Sequence, residues 1–127
     1  MEIGNIKFKA KRIDDNTWVE GYFYSECGNA YIIENCQKES ILNRNITYEV
    51  DPSTVCQFTG LTDCKGKELF EHDLIHFVRF SDAAEVIWSE GNCAFMAVCE
   101  NKHSYWLHDV IKICRIERIG NKFDKKK

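Results

Sequence analysis

The sequence predicts an all-β protein of mainly antiparallel strands with at most short helical turns, on three observations. Of the 127 residues, 44% are hydrophobic and 13% aromatic, and rings and β-branched side chains suit pleated, half-buried surfaces. Strand-like runs recur about every 8–12 residues between turn signals. No apolar repeat of 3.6 residues persists beyond about two turns.

The elements follow in order. Ile6, Phe8 and Ala10 alternate with Lys7, Lys9 and Lys11, which predicts a strand with one wet face. Asp14-Asp15-Asn16 is turn chemistry. TWVEGYFYSE is a second strand, with Trp18, Tyr22 and Tyr24 on one face and Val19 and Phe23 on the other. Gly21 within it marks a bulge or a close backbone approach. Gly28-Asn29 turns a hairpin into AYIIENC. Residues 37–45, QKESILNRN, read as a loop, and ITYEV as a fourth strand. Asp51 then Pro52, the single proline, suits an N-cap and first position, so DPSTV is a short helical turn. CQF is a brief extended piece.

Asp63-Cys64-Lys65-Gly66 fits a type I turn with a left-handed glycine at its end. It leads into ELFEHDLIHFVRF. AEVIWS, CAFMAVCE, SYWLHDV and IKICRIERI read as the closing strands. A boundary near residues 60–68 separates an N-terminal antiparallel unit, 1–62, from a unit of about five strands, 63–127, enough for a small SH3-like β-barrel. The two can pack as one compact domain.

Charge excludes a global basic field: 17 basic against 20 acidic residues leave a net charge of −3. The basic residues gather at the ends, Lys7, Lys9, Lys11 and Arg12, then Lys125, Lys126 and Lys127, and read as a solvated strand face and a frayed tail. The start, MEIGNIKFKAKRIDD, carries no apolar h-region, and no run reaches membrane-span length. Seven cysteines, an odd number, then read as reduced thiols of a cytoplasmic protein, mostly small buried hydrophobes.

One stretch is more specific. VDPSTVCQFTGLTDCKGKELFEHDLI resembles the signature of the YopX-like family of phage and prophage proteins. The match runs through Asp51, Pro52, Thr54, Val55, Gln57, Phe58, Thr59, Gly60, Leu61, Asp63, Gly66, Lys67, Glu68, Leu69, Phe70, Glu71, Asp73, Leu74 and Ile75. IKFKAKRIDDNTWVEGYFY is similar to the family's opening strands and RIGNKFD to its closing segment. The resemblance implies a short, mainly β protein encoded in a phage or prophage. It implies no established reaction and brings no catalytic residues. The residues it singles out as a structural corner are Gln57, Thr59, Gly60, Asp63, Gly66, Glu71 and Asp73.

The residues offer four chemical readings. Cys56, Cys64, His72 and His76 form a C-x7-C-x7-H-x3-H series with four zinc-type donors. It lacks a short Cys-x2–4-Cys knuckle and falls on variable positions of the family pattern, so no metal or other cofactor is assigned. Cys27 and Cys93 stand at turns and could act as nucleophiles with His103 or His108 as base, but no spacing ties any pair together. Glu71 and Asp73, two apart on one strand, share a face, with Glu68 a further carboxylate. Capping of turn amides is the stronger reading, with Asp73 organising the corner. Trp88, Phe95, Tyr105 and Trp106 read first as core and second as a binding groove.

The expectation is a non-enzymatic binding module. A protein partner is favoured. A nucleic-acid accessory built on Lys7, Lys9, Lys11 and Lys112 is the alternative, and a small hydrolase comes third. No membrane is expected, and open β edges allow a homo-oligomer.

Overall fold

A computed structural model describes residues 6–34, 46–77, 82–99 and 103–124. The loop expected at 37–45 and the tail at 125–127 lie outside the described residues. The chain is mostly antiparallel β with one short α-helix among the described residues. None of these residues forms a helix long and apolar enough to cross a membrane. The chain divides into two compact units, Met1–Phe58 and Thr59–Lys127.

The first unit holds β1 (Phe8–Lys11), β2 (Trp18–Glu26), β3 (Asn29–Glu34), β4 (Thr47–Val50) and the start of β5 (Cys56–Thr62), hydrogen-bonded in the order β4-β3-β2-β1-β5. β1 serves two neighbours besides β2. Its first half pairs with β5, Phe8 opposite Gln57 and Lys9 opposite Cys56. Beyond its last residue, Arg12 bridges Val50 at the end of β4, and the Asp51 amide donates to the Lys11 carbonyl at 2.9 Å. The strands therefore curl until the ends of β1 and β4 meet. The buried interior of this curl is Ala10, Ala30, Ile32 and Val50.

Gly21 marks a close approach and no bulge. Its register opposite Glu34 is regular, and a Cβ there would stand 2.1 Å from the Ile33 carbonyl oxygen. The β2–β3 turn falls one residue earlier than expected. Cys27 and Gly28, at φ 54° and 83°, form the two-residue loop between Glu26 and Asn29, and two positive φ values define a type I′ turn.

The wet face expected of β1 is also corrected. Lys9 and Lys11 are each only 7% exposed. Their ammonium groups lie 4.8 and 5.5 Å from the centre of the Trp18 ring. Alternation identified the face, but the aromatic neighbour on β2 covers the aliphatic stems.

After β4, Asp51 caps a 3-10 turn, Pro52–Thr54, by accepting from the Ser53 amide at 3.0 Å. The buried Thr54 hydroxyl donates to the Asp51 carbonyl at 2.7 Å and accepts from the Lys11 amide at 2.9 Å.

The second unit holds the rest of β5, then β6 (Glu68–Phe70), which is hydrogen-bonded to it. β7 (Asp73–Phe77), β8 (Asp82–Ser89), β9 (Ala94–Cys99) and β10 (Ser104–Trp106) form an antiparallel meander. α1 (Leu107–Ile113) follows, and β11 (Ile116–Asn121) returns beside β7. Sheet order is β10-β9-β8-β7-β11, and no pairing among the described residues closes it into a barrel. It nevertheless curls strongly. Phe77 of β7 and Tyr105 of β10 lie three strands apart, about 14 Å in a flat sheet, yet their ring centres are 6.4 Å apart.

SYWLHDV and IKICRIERI are not continuous strands. The chain leaves β10 after Trp106 and turns through α1 before β11 begins. Leu107, Val110, Ile111 and Cys114, spaced i, i+3, i+4 and i+7, pack into the core with Leu69, Ile75, Val86 and Ala97.

Candidate functional site

The family-like corner is a polar frame, and in the second unit it is built from two carboxylates, Asp63 and Asp73, and their amide donors. Asp63 opens the β5–β6 turn. Its Oδ1 accepts from the Lys65 amide at 2.9 Å and the Lys67 amide at 2.8 Å, and its Oδ2 from the Arg118 amide at 2.9 Å. Gly66, at φ 83°, donates its amide to the Asp63 carbonyl at 3.0 Å. Burial pushes the Asp63 carboxyl up, but the three amide donors outweigh it and hold it below the usual carboxylate range. One side chain thus ties the turn to β11. Thr59 does similar work on the strand: its hydroxyl donates to the Leu69 carbonyl at 2.7 Å and accepts from the Leu61 amide at 3.1 Å. Gly60, at φ 84°, takes a left-handed conformation in β5. Gln57, in the first unit, is exposed opposite Phe8.

Asp73 is fully buried. Its Oδ2 accepts from the Phe70 amide at 2.7 Å, and its Oδ1 from Asn121 Nδ2 at 2.8 Å. Arg118 Nε lies 3.0 Å from the same Oδ2. That N–H is not aligned for a hydrogen bond, so the guanidinium contributes charge and no directed bond. Asn121 Oδ1 accepts from the Phe123 amide at 2.9 Å, folding the chain after β11 back on itself.

Glu71 does not share a strand with Asp73. It stands in the Glu71-His72 turn between β6 and β7, where His72 takes φ 69° and breaks the alternation. His72 Nδ1 is 2.8 Å from Glu85 Oε2 and its Nε2 3.7 Å from Glu71 Oε2. Its ring meets Phe123 edge-on at 5.3 Å. The His72 amide donates to the Val86 carbonyl at 2.6 Å, and its carbonyl accepts from the Lys122 amide at 2.9 Å.

The sulfur and histidine series is dispersed. Cys56 is buried and its thiol donates to the Thr54 carbonyl at 3.2 Å. Cys64 is exposed in the turn, His72 engages carboxylates, and His76 lies within β7. No three His, Cys, Asp or Glu side chains among the described residues are placed to hold a metal ion. Cys27 and Cys93 are exposed at positive φ, and the Cys93 thiol donates to the Glu90 carbonyl at 3.5 Å. His103 and His108 are exposed, the latter edge-on to Trp106 at 5.6 Å. Glu68 begins β6, half-buried.

The rings depart most from expectation. Read first as core, Trp88, Tyr105 and Trp106 are 40%, 47% and 39% exposed. Trp88 pairs across strands with Phe95, ring centres 5.0 Å apart. Tyr105 stands opposite Ala97, two residues from Phe95, so Trp88, Phe95 and Tyr105 share one face of the sheet. Trp106 projects from the other face of β10. That strand is outermost and all three of its residues are exposed. β10 ends the sheet, so Tyr105 and Trp106 have a neighbouring strand on one side only among the described residues.

Arg118, Asn121 and Glu85 have no role that the sequence by itself assigns. The likeness of RIGNKFD to a closing segment covers Arg118 and Asn121 without naming a partner, and Glu85 carries no signal. No curated protein matches the chain. A family model described as YopX protein matches residues 7–126, a span that contains every strand among the described residues and the whole polar corner. The chain belongs to the YopX protein family.

Proposed function

We propose that this YopX-family chain is a non-enzymatic binding module, encoded by a phage or prophage and working in the host cytoplasm, that engages a host or phage protein. The observation that carries the reading is β10: an outermost strand, wholly exposed, with Tyr105 and Trp106 on its two faces and Trp88, two strands in, on the Tyr105 face. Exposed backbone on an edge adds a strand from a partner, and flanking rings supply the anchoring area. The connectivity of the second unit, a four-stranded meander, a short helix and a strand returning beside the first, supports an SH3-like use of this rim. The burial of Lys9 and Lys11 weighs against the nucleic-acid alternative, because it removes two of its four cations from solvent.

The test pairs the wild-type chain with Tyr105→Ala/Trp106→Ala. The expected result is one stoichiometric protein captured from host lysate by the wild type and lost with the variant, with no shift of labelled DNA or RNA at low salt. Equal capture by both chains, or a nucleic-acid shift without protein capture, overturns the reading.

A further inference from the structure

The first unit carries a second aromatic surface, unrelated to β10. Tyr22 stands opposite Ile33, and Tyr24 opposite Tyr31, which in turn faces Glu49 of β4. Register therefore places Tyr22, Tyr24, Tyr31, Ile33 and Glu49 on one sheet face. Tyr22 and Tyr24 are 39% and 37% exposed. Tyr24 and Tyr31 stack, ring centres 5.0 Å apart at 20°. Glu26 at the hairpin end and Glu49 on β4 are exposed at the margin of these rings.

The exposed charge of this face is acidic: Glu26 and Glu49 are exposed, whereas Lys9 and Lys11 on the same face are buried. Residues 18–34 and 46–50 contain Glu20, Glu26, Glu34 and Glu49 and no lysine or arginine. Among the described residues, the basic side chains on and after β1 are committed: Lys7 lies 3.8 Å from Glu20, Arg12 lies 2.6 Å from Asp14, and Lys9 and Lys11 sit over Trp18. The last two contacts also show the chemistry that this face supports, a cation held against an aromatic ring on the same side of the sheet. Aromatic centre and charged rim are the anatomy of a protein interface, and the rim fixes the sign of the partner.

We propose that the Tyr22–Tyr24–Tyr31 face is a docking surface for an arginine- or lysine-rich segment of a protein. Tyrosine rings take the cationic heads and aliphatic stems, and Glu26 and Glu49 take the charge.

The probe is a hexa-arginine peptide titrated into the full chain and followed by amide and ring NMR shifts, with hexa-glutamate as control. The expected result is saturable shifts at Tyr22, Tyr24, Tyr31 and Glu49 with hexa-arginine only. Tyr24→Ala/Tyr31→Ala is expected to weaken binding about tenfold, the scale of a hot-spot pair. Glu26→Gln/Glu49→Gln, at exposed positions that leave the fold intact, is expected to weaken it about threefold and flatten its salt dependence. Hexa-arginine shifts confined to Trp88, Tyr105 or Trp106, equal shifts with hexa-glutamate, or undiminished binding by the glutamine variant each overturn the proposal. So do shifts that grow with protein concentration alone, which would assign the face to a second copy of the chain.

Discussion

Asp73 and Asn121, separated by 48 residues, meet side chain to side chain at 2.8 Å with both residues buried. The contact joins the first strand of the second unit's meander to the end of its returning strand. Removing the carboxylate leaves the Phe70 amide without its acceptor, Asn121 Nδ2 with only the Glu71 carbonyl at 3.4 Å, and the Arg118 guanidinium without its counter-charge. Asp73→Ala is expected to cost about 3–5 kcal/mol, the scale for breaking a buried charged cluster from one side. Asn121→Ala is expected to cost about 1–3 kcal/mol. Urea unfolding curves measure both. Equal stability of Asp73→Ala and wild type would exclude the frame as a stabilising element.

Asp63 makes stability depend on acid. Its carboxyl is held below the usual range in the folded chain, so its contribution is complete above the unfolded value, about 3.9, and is lost as pH falls through the lower folded value. The wild type is expected to lose stability below about pH 4. Asp63→Asn should be less stable at neutral pH and lose less between pH 5 and 2. Thermal melts across that range compare the two slopes, and parallel slopes would contradict the assignment.

Gly21 has no room for a side chain. With a Cβ 2.1 Å from the Ile33 carbonyl oxygen, Gly21→Ala must displace β3 or distort β2. A loss above about 2 kcal/mol is expected, as for overpacking against backbone. Amide exchange should accelerate along β2 and β3 in the first unit, and unchanged protection there would refute the close approach.

Cys27 occupies a position better suited to Asn or Gly. It takes φ 54° at the first site of the type I′ turn, where a residue tolerant of the left-handed conformation relieves strain. Cys27→Asn is expected to stabilise the chain by about 0.5–1 kcal/mol. Denaturant midpoints of variant and wild type, both under reducing conditions, provide the check.

The corner was legible in the sequence because its chemistry is local. Asp51 followed by proline caps a turn within two residues, and Asp63 receives amides two and four residues ahead. Gly66 takes its left-handed φ where the type I turn requires it. The short helix was written in Leu107, Val110, Ile111 and Cys114. Two turns of helix give too few repeats to separate that spacing from strand alternation, and packing into the core decided it.

Sequence alone determined the strand-rich class, the turns capped by Asp51 and Asp63, and the family, since each depends on neighbours a few residues apart or on a continuous motif. Tertiary structure decided which polar residues were buried and which rings were not. Lys9 and Lys11 disappear under Trp18 because β2 lies against β1. Asp73 acquires Arg118 and Asn121 because β11 returns beside β7. Trp106 and Tyr105 stay in solvent because β10 ends the sheet. Burial is a property of strand order, and strand order is set by contacts between residues far apart in the chain.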